Sequence, residues 1–300
     1  MKKFVHRRKE ISLHILLIPA VVMTLVFAYW PLFGIVIAFQ KFKPAMGFLG
    51  SDWVGFANFR YIFSMPDFSK IIRNTMFIAF FKMIGGIAVP VTFSLLLNEI
   101  RSNRFKRLSQ SLVYLPNFVS WVILASIFKD MLSPSEGIVN YIIKSLGGKP
   151  IMFLGDLTWF PITMIITDIW KGFGYGTVIY LAALTGIDPA LYESAVIDGA
   201  SRWKQILHIT LPGMAPIIIL LSVLSLGNIL NAGFDQIYTM YNPSVYETGD
   251  ILDTFVYRLG LVNTEFSPAA AVGFFRSVVS FVLISLSWFL ADKLANYRIF

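Results

Sequence analysis

Residues 12 to 40 run for 29 positions without a single Asp, Glu, Lys or Arg. A bilayer core about 30 Å thick takes roughly 20 apolar residues per helical crossing, so such a run has one low-energy place to go. Five further segments are long and predominantly apolar, at about 72–97, 109–129, 158–182, 213–233 and 269–291. They are continuous in Leu, Ile, Val and Phe and lack the period-2 alternation of a membrane strand, so the crossings read as helices. The expected fold class is an all-α polytopic membrane protein, a single domain over residues 1–300 with six transmembrane helices. An even number of crossings places both termini on one side of the membrane.

Composition agrees with a chain surrounded by membrane lipid. Hydrophobic residues make up 56% of the sequence, charged ones 14%, and the mean hydropathy is +0.69, against about 25% charged in a soluble domain. The basic start followed by an apolar run has the outline of a signal peptide. The run is too long for one and lacks a small-x-small cleavage site, so it reads as a retained first span. With no Cys in the chain, disulfides, Cys-based zinc sites and redox motifs are excluded.

Lys and Arg near span ends set orientation. With the N-terminus cytoplasmic, the short inner segments carry Lys2, Lys3, Arg7, Arg8, Lys9, Arg101, Arg104, Lys106, Arg107, Arg202, Lys204, Lys293 and Arg298. The longer outer loops carry Lys41, Lys43, Arg60, Lys70, Arg73, Lys129, Lys144, Lys149 and Arg258, and Lys82, Lys171 and Arg276 fall inside spans. The expected location is therefore the cytoplasmic membrane, multi-pass, with both termini cytoplasmic. The net charge of +8 is this topology signal, since the basic residues flank spans and form no single face. No nucleic-acid partner is expected. Of the outer loops, 41–71 is aromatic and amphipathic as at a membrane interface, while 130–157 and 234–268 read as small ordered caps.

Several chemistries are missing. A phosphate-cradling loop needs G-x-x-x-x-G-K-[ST]. The nearest stretch, "SLGGKP", has Ile143 for the first glycine and Pro150 for Ser/Thr, so this chain is not expected to hydrolyse ATP or to be an enzyme. "GFGYG" lies inside a span with no strand before it, and Gly172 and Gly176 read as a small-xxx-small helix contact. His6, His14 and His208 are far apart and make no metal motif.

Between the fourth and fifth spans stands "YESAVIDGASRWKQILHITLP", Tyr192 to Pro212. Glu193, Asp198, Arg202 and Lys204 would cost up to about 3 kcal/mol each at the bilayer centre, so the 183–212 loop lies outside the membrane. Asp188 before Pro189 is an N-cap with proline at the first helical position, and a short helix is expected over about Pro189–Asp198. Gly199 fits a left-handed helix end, Ser201 can cap a second helix with Trp203, Ile206 and Leu207 on one face, and Pro212 is expected to end it and start the next span. Tyr192, Ala195 and Val196 form a small apolar strip that can seat in a partner's groove or lie on the inner leaflet. The polar face carries Glu193, Ser194 and Asp198, whereas a membrane-surface helix favours Lys and Arg there.

Glu193, Ser194 and Ala195, then Gly199 after three intervening residues, then Ile209, Leu211 and Pro212, resemble the E-A-A-x3-G-x9-I-x-L-P motif of permease subunits of binding-protein-dependent ABC importers. Ser194 for Ala is the single, small-for-small departure. "LAALTGIDPALYESAVIDGAS" is similar to the maltose-type carbohydrate branch, and "YNPSVYETGDILDTFVYRLGL" resembles its LplB-like group, which imports complex glycans and oligosaccharides. The resemblance spans the six-helix core. It implies that Glu193, Ser194, Ala195, Asp198, Gly199, Ile209, Leu211 and Pro212 belong to a coupling loop for a separate ATPase. The implied partners are two ATPase subunits that bind ATP and Mg, a second homologous permease forming a heterodimer, an extracellular solute-binding protein and an oligosaccharide substrate. No cofactor is expected in this chain.

Polar residues inside spans face a cavity or another helix. Asn117, Trp121, Asp168, Lys171, Asn228 and Asn231 are the candidates for a substrate pathway, supplying amides for hydroxyls and an aromatic face for C–H groups. Asp168 and Lys171, three apart, can pair with each other or line that pathway. An ion-coupled carrier or channel is the alternative function, distinguished by being active without any ATPase.

Overall fold

A computed structural model of the protein describes residues 14–295, with side chains through residue 289. Lys2, Lys3, His6, Arg7, Arg8, Lys9 and Arg298, and the first two positions of the 12–40 span, lie outside the described residues. The chain divides into two compact units, Met1–Met65 with Val256–Phe275, and Pro66–Phe255 with Arg276–Phe300.

In the first unit, α1 (His14–Phe39) passes from α-helix into a π turn at Leu25–Tyr29 and a 3-10 stretch at Trp30–Phe39. It is apolar all round and none of its most apolar window is buried, the pattern of a helix solvated by lipid or covered by another chain. The chain then forms a two-stranded antiparallel ribbon, β1 (Gln40–Lys41) on β2 (Asp52–Trp53), and a short helix α2 (Ala57–Ser64). Phe39 stacks on Trp53 at 5.7 Å and meets Phe56, Phe59 and Phe274. The Asn58 amide donates to the Ala38 and Gln40 carbonyls at 2.8 and 3.0 Å, tying α2 to the end of α1.

The second unit is built round α3 (Phe68–Glu99), α4 (Asn103–Phe118), α5 (Trp121–Met131), α6 (Ile138–Ser145), α7 (Trp159–Thr185), α8 (Pro189–Ile197), α9 (Arg202–Leu226) and α10 (Phe234–Met240). Helices α11 (Leu252–Tyr257) and α12 (Phe266–Ala295) follow and run across the division between the units. Among the described residues four helices are long and apolar enough to cross a membrane alone: α1, α3, α9 and the Phe266–Phe289 part of α12.

The other two predicted spans differ for physical reasons. The 109–129 segment is two helices, α4 and α5, meeting at 102°. Ser120 makes the corner by capping α5, accepting from the Ile123 N–H at 3.4 Å, just after Pro116 in the last turn of α4. The 158–182 segment is α7, 27 residues long and so about 40 Å, yet too polar to qualify by composition. It packs against α3, α4, α9 and α10, so Thr163, Thr167 and Thr177 are buried in protein and bond to backbone carbonyls of their own helix. Phe160 and Met164 are fully buried, in one core with Ile78, Ala125, Ile237 and Met240.

Two further expectations are corrected. The close helix approach is not at Gly172, where nothing lies within 4 Å. It is at Gly174, where a Cβ would fall 2.0 Å from the Val113 carbonyl oxygen, and Gly176 faces Pro90. Pro212 does not end the helix that begins at Arg202. A π turn at Ile206–Thr210 widens the backbone and places Pro212 in the first turn of the stretch beyond, where it needs no donor, and the helix runs on to Leu226. The predicted 213–233 span therefore ends as helix at Leu226, and the chain turns through to Gly233, which has φ +92°.

Candidate functional site

The loop between α7 and α9 is locked at each point where the chain changes direction. The Asp188 carboxylate accepts from the Ala190 N–H at 2.9 Å and starts α8 at Pro189. At its far end the Ala200 N–H donates to the Ala195 carbonyl (2.8 Å) and the Gly199 N–H to the Val196 carbonyl (3.1 Å), with Gly199 at φ +73°. That pair of bonds is a complete Schellman ending, and only glycine adopts its left-handed residue without strain.

Ser201 occupies the N-cap of α9, but its hydroxyl accepts no capping bond, contrary to expectation. Buried Gln205 does the holding, its amide donating to the Ala200 carbonyl at 3.0 Å. The Gln205 carbonyl accepts from the Thr210 hydroxyl at 3.4 Å, and Thr210 in turn meets the Tyr192 hydroxyl at 3.0 Å. Tyr192, Thr210 and Gln205 thus clamp α8 onto the start of α9. Each is an ordinary residue whose partner the fold alone supplies.

This clamp turns Tyr192 and Ala195 partly inward and leaves Val196 exposed, so the predicted apolar strip is split. Glu193, Ser194, Asp198 and Gly199 are exposed, as are the apolar Leu191, Val196 and Ile197. Ile209 and Leu211 are half-buried, and Pro212 is exposed. Trp203, Ile206 and Leu207 do share a face, lining a groove against Leu95 and Leu96 of α3. Arg202 reaches Glu99 at 4.0 Å beside it.

In the helices, Asp168 and Lys171 do not pair with each other. The Lys82 ammonium takes Asp168 at 3.4 Å and donates to the Ala232 carbonyl at 2.7 Å and to the side-chain oxygen of Gln236. The Gln236 amide donates onward to Thr167 Oγ1 (2.7 Å) and the Met164 carbonyl (2.9 Å). This buried network joins α3, α7 and α10 and fixes the turn after α9. Beside it lies a cavity of about 330 Å³, lined by Lys82, Asp168, Ser225, Asn228, Asn231 and Gly233 among others.

Lys171 turns the other way. It donates to the Asn117 carbonyl at 2.9 Å and sits 5.5 Å from the centre of the Trp121 ring. The six pathway candidates thus fall into two groups, Asp168, Asn228 and Asn231 at the cavity, and Asn117, Trp121 and Lys171 at the α4–α5 corner. Lys82 and Gln236 carry the buried network, and sequence marked only Lys82, as a charge within a span.

A polytopic helical protein with a capped, exposed helix–bend–helix leading unbroken into a crossing helix is the architecture of a transport-system membrane component. The binding-protein-dependent transport system inner membrane component family matches residues 83–296, and the chain belongs to that family. It is a membrane permease subunit of an ABC importer, with ATP hydrolysis on a separate subunit.

The chain is similar to Protein LplB of Bacillus subtilis (strain 168), 41% identical over 293 residues, 98% of this chain and 92% of LplB. It is also similar to the polygalacturonan/rhamnogalacturonan transport system permease protein YteP of the same organism, 40% identical over 288 residues, 96% of this chain and 90% of YteP. A crystal structure of a bacterial ABC transporter involved in the import of the acidic polysaccharide alginate holds a chain superimposing with TM-score 0.89 at 36% identity, covering 98% of this chain and 99% of that one.

Proposed function

We propose that this permease moves an oligosaccharide inward across the cytoplasmic membrane as one half of a permease pair, with the 183–212 loop on the cytoplasmic side seated in a separate ATPase. The observation that carries the reading is the exposed Glu193 on a helix capped at Asp188, closed by the bend at Gly199 and clamped to the start of α9 through Tyr192–Thr210 and Gln205–Ala200. Movement of α8 is thereby delivered to a crossing helix. A carboxylate desolvated in a partner's groove requires a donor there and is costly without one, which makes Glu193 the docking acid. Ser194, Ala195 and Asp198 shape the docked face, and Ile209, Leu211 and Pro212 carry the strain into α9.

YteP and the solved alginate transporter are named for glycan transport, which supports an oligosaccharide cargo. The solved alginate transporter in complex with a pentasaccharide-bound periplasmic protein supports delivery by a solute-binding protein. The residues at the cavity, Asp168, Asn228 and Asn231, and those at the corner, Asn117, Trp121 and Lys171, supply the pathway.

Glu193→Lys reverses the docking charge without touching the fold. In cells carrying it as the only copy, the chain should reach the membrane at the wild-type level while glycan uptake falls to background. Normal uptake in those cells would refute the docking role.

A further inference from the structure

We propose that this chain carries a second sugar-binding station, further along the same helices toward the 183–212 loop than the Lys82–Asp168 cavity. There the Tyr180 hydroxyl and the Asn228 amide hold a sugar ring, and Gly86 leaves it room. The proposal rests on the importer reading above and adds a site to its route.

A second cavity, of about 250 Å³, is lined by Gly86 of α3, Gly176 and Tyr180 of α7, and Leu221 and Ser225 of α9, with Asn228 just beyond that helix. Ser225 and Asn228 also line the 330 Å³ cavity beside Lys82, so the two meet at a shared wall. Asp168 in the first and Tyr180 in the second are 12 positions apart on α7. That is about 18 Å of helix, more than half of a bilayer core roughly 30 Å thick. Two spaces in series along three helices make a track, and the second lies at the end where the loop begins.

The polar atoms on this second wall are unspent. Tyr180 is 2% exposed, yet its hydroxyl bonds to no other described residue and is not sealed from solvent. A buried Tyr hydroxyl ordinarily has a partner; here its open side is the cavity. The Asn228 side chain also bonds to no other described residue and stands exposed where the two cavities meet. By contrast, the Ser225 hydroxyl is given to the Leu221 carbonyl at 2.7 Å. A phenol hydroxyl and an amide each donate and accept, as sugar hydroxyls do, so a ring replaces water at both without leaving either unpaired. On α3, a Cβ added at Gly86 would meet nothing within 4 Å, so a side chain there extends into the space that the ring needs.

Because the chain has no Cys, Gly86→Cys gives it one thiol in a position with room for it. The whole importer, with both permeases and both ATPases and with the partners' cysteines replaced, is purified in detergent and labelled with a small methanethiosulfonate reagent. The probe is a mixture of galacturonan, alginate and malto-oligosaccharides, which should slow labelling in a saturable way. Tyr180→Phe keeps the ring in its core and Asn228→Ala changes an exposed side chain. Each, added to Gly86→Cys, should raise the concentration for half-protection about fivefold, as the loss of one hydrogen bond does. In cells, Gly86→Ala should keep most glycan uptake and Gly86→Leu, which fills the cavity, should stop it.

A thiol that does not react, labelling that the sugars do not slow, or unchanged half-protection on either added substitution each overturns the station. Equal uptake in Gly86→Ala and Gly86→Leu cells, high or low, does so too, since the space at Gly86 would then decide nothing. The importer reading is judged separately, by uptake in Glu193→Lys cells, and stands if only the station fails.

Discussion

Lys82 anchors one end of a network in which every polar atom named above has a partner. Removing one member of a buried ion pair costs about 3 kcal/mol or more, because the other is left uncompensated. Lys82→Met should therefore lower the detergent melting temperature well below the wild-type value, because it also strands the Ala232 and Gln236 acceptors, and Asp168→Asn should lower it less, since the ammonium keeps those two acceptors and water reaches the 36% exposed Asp168 position. Equal melting of Lys82→Met and wild type would show that the network holds nothing. Single residues were legible in the sequence as types and not as partners. A charge inside a span announces that something must receive it, but Asp168 and Lys171 lie within reach of each other and still bond elsewhere. The alternative partners, the Lys82 ammonium on α3 and the Asn117 carbonyl on α4, are brought near only by packing.

The elements were read best where their signals are local. Asp188, Pro189 and Gly199 each do what their chemistry dictates, because capping and a left-handed helix end depend on neighbours in the chain. Pro212 was misread for the converse reason: the five-residue π turn at Ile206–Thr210, just before it, depends on tertiary fit and has no sequence mark. At Gly199 an added Cβ meets nothing within 4 Å, so Gly199→Ala bears only the left-handed backbone cost of about 1–2 kcal/mol and should keep most uptake. Gly199→Pro cannot adopt φ +73°; it should raise amide exchange across 189–205 and abolish coupling with the chain still inserted. Comparable uptake in the two variants would remove the bend from the mechanism.

A second element-scale test concerns α11, pinned to α12 by the half-buried ion pair of Asp253 with Arg276. Burial pushes the Asp253 carboxyl above its usual value, with Arg276 pulling it back. A raised acid contributes its stability below the ordinary carboxylate range and loses it as pH climbs through the raised value. Melting of the wild type should thus decline relative to Asp253→Asn between mildly acid and neutral pH, and Arg276→Met should be the more damaging of the two substitutions. A constant gap between wild type and Asp253→Asn across that range would contradict this.

For the whole molecule, hydropathy located four helices long and apolar enough to cross a membrane among the described residues, but not the role of each. The helix that fails the apolarity criterion, α7, is the one that the rest of the second unit surrounds, and burial in protein is what permits its threonines and its charges. The α4–α5 corner was equally hidden, since a capped serine after a proline reads as an ordinary interruption. A chain built to be driven from outside should do nothing alone: vesicles holding only this protein should show no sugar flux under a proton or sodium gradient, and flux there would revive the carrier alternative.

The unbroken run from Arg202 to Leu226 has a further bearing on amplitude. Its 25 residues measure about 37 Å, so a tilt of about 10° applied at the loop displaces the far end by about 6 Å, roughly the width of one sugar ring. A pivot of that size needs no unfolding and no sliding of side chains past one another. The work of opening a passage can thus be done by leverage, with the small motion kept where the force enters and the large one delivered where the cargo waits.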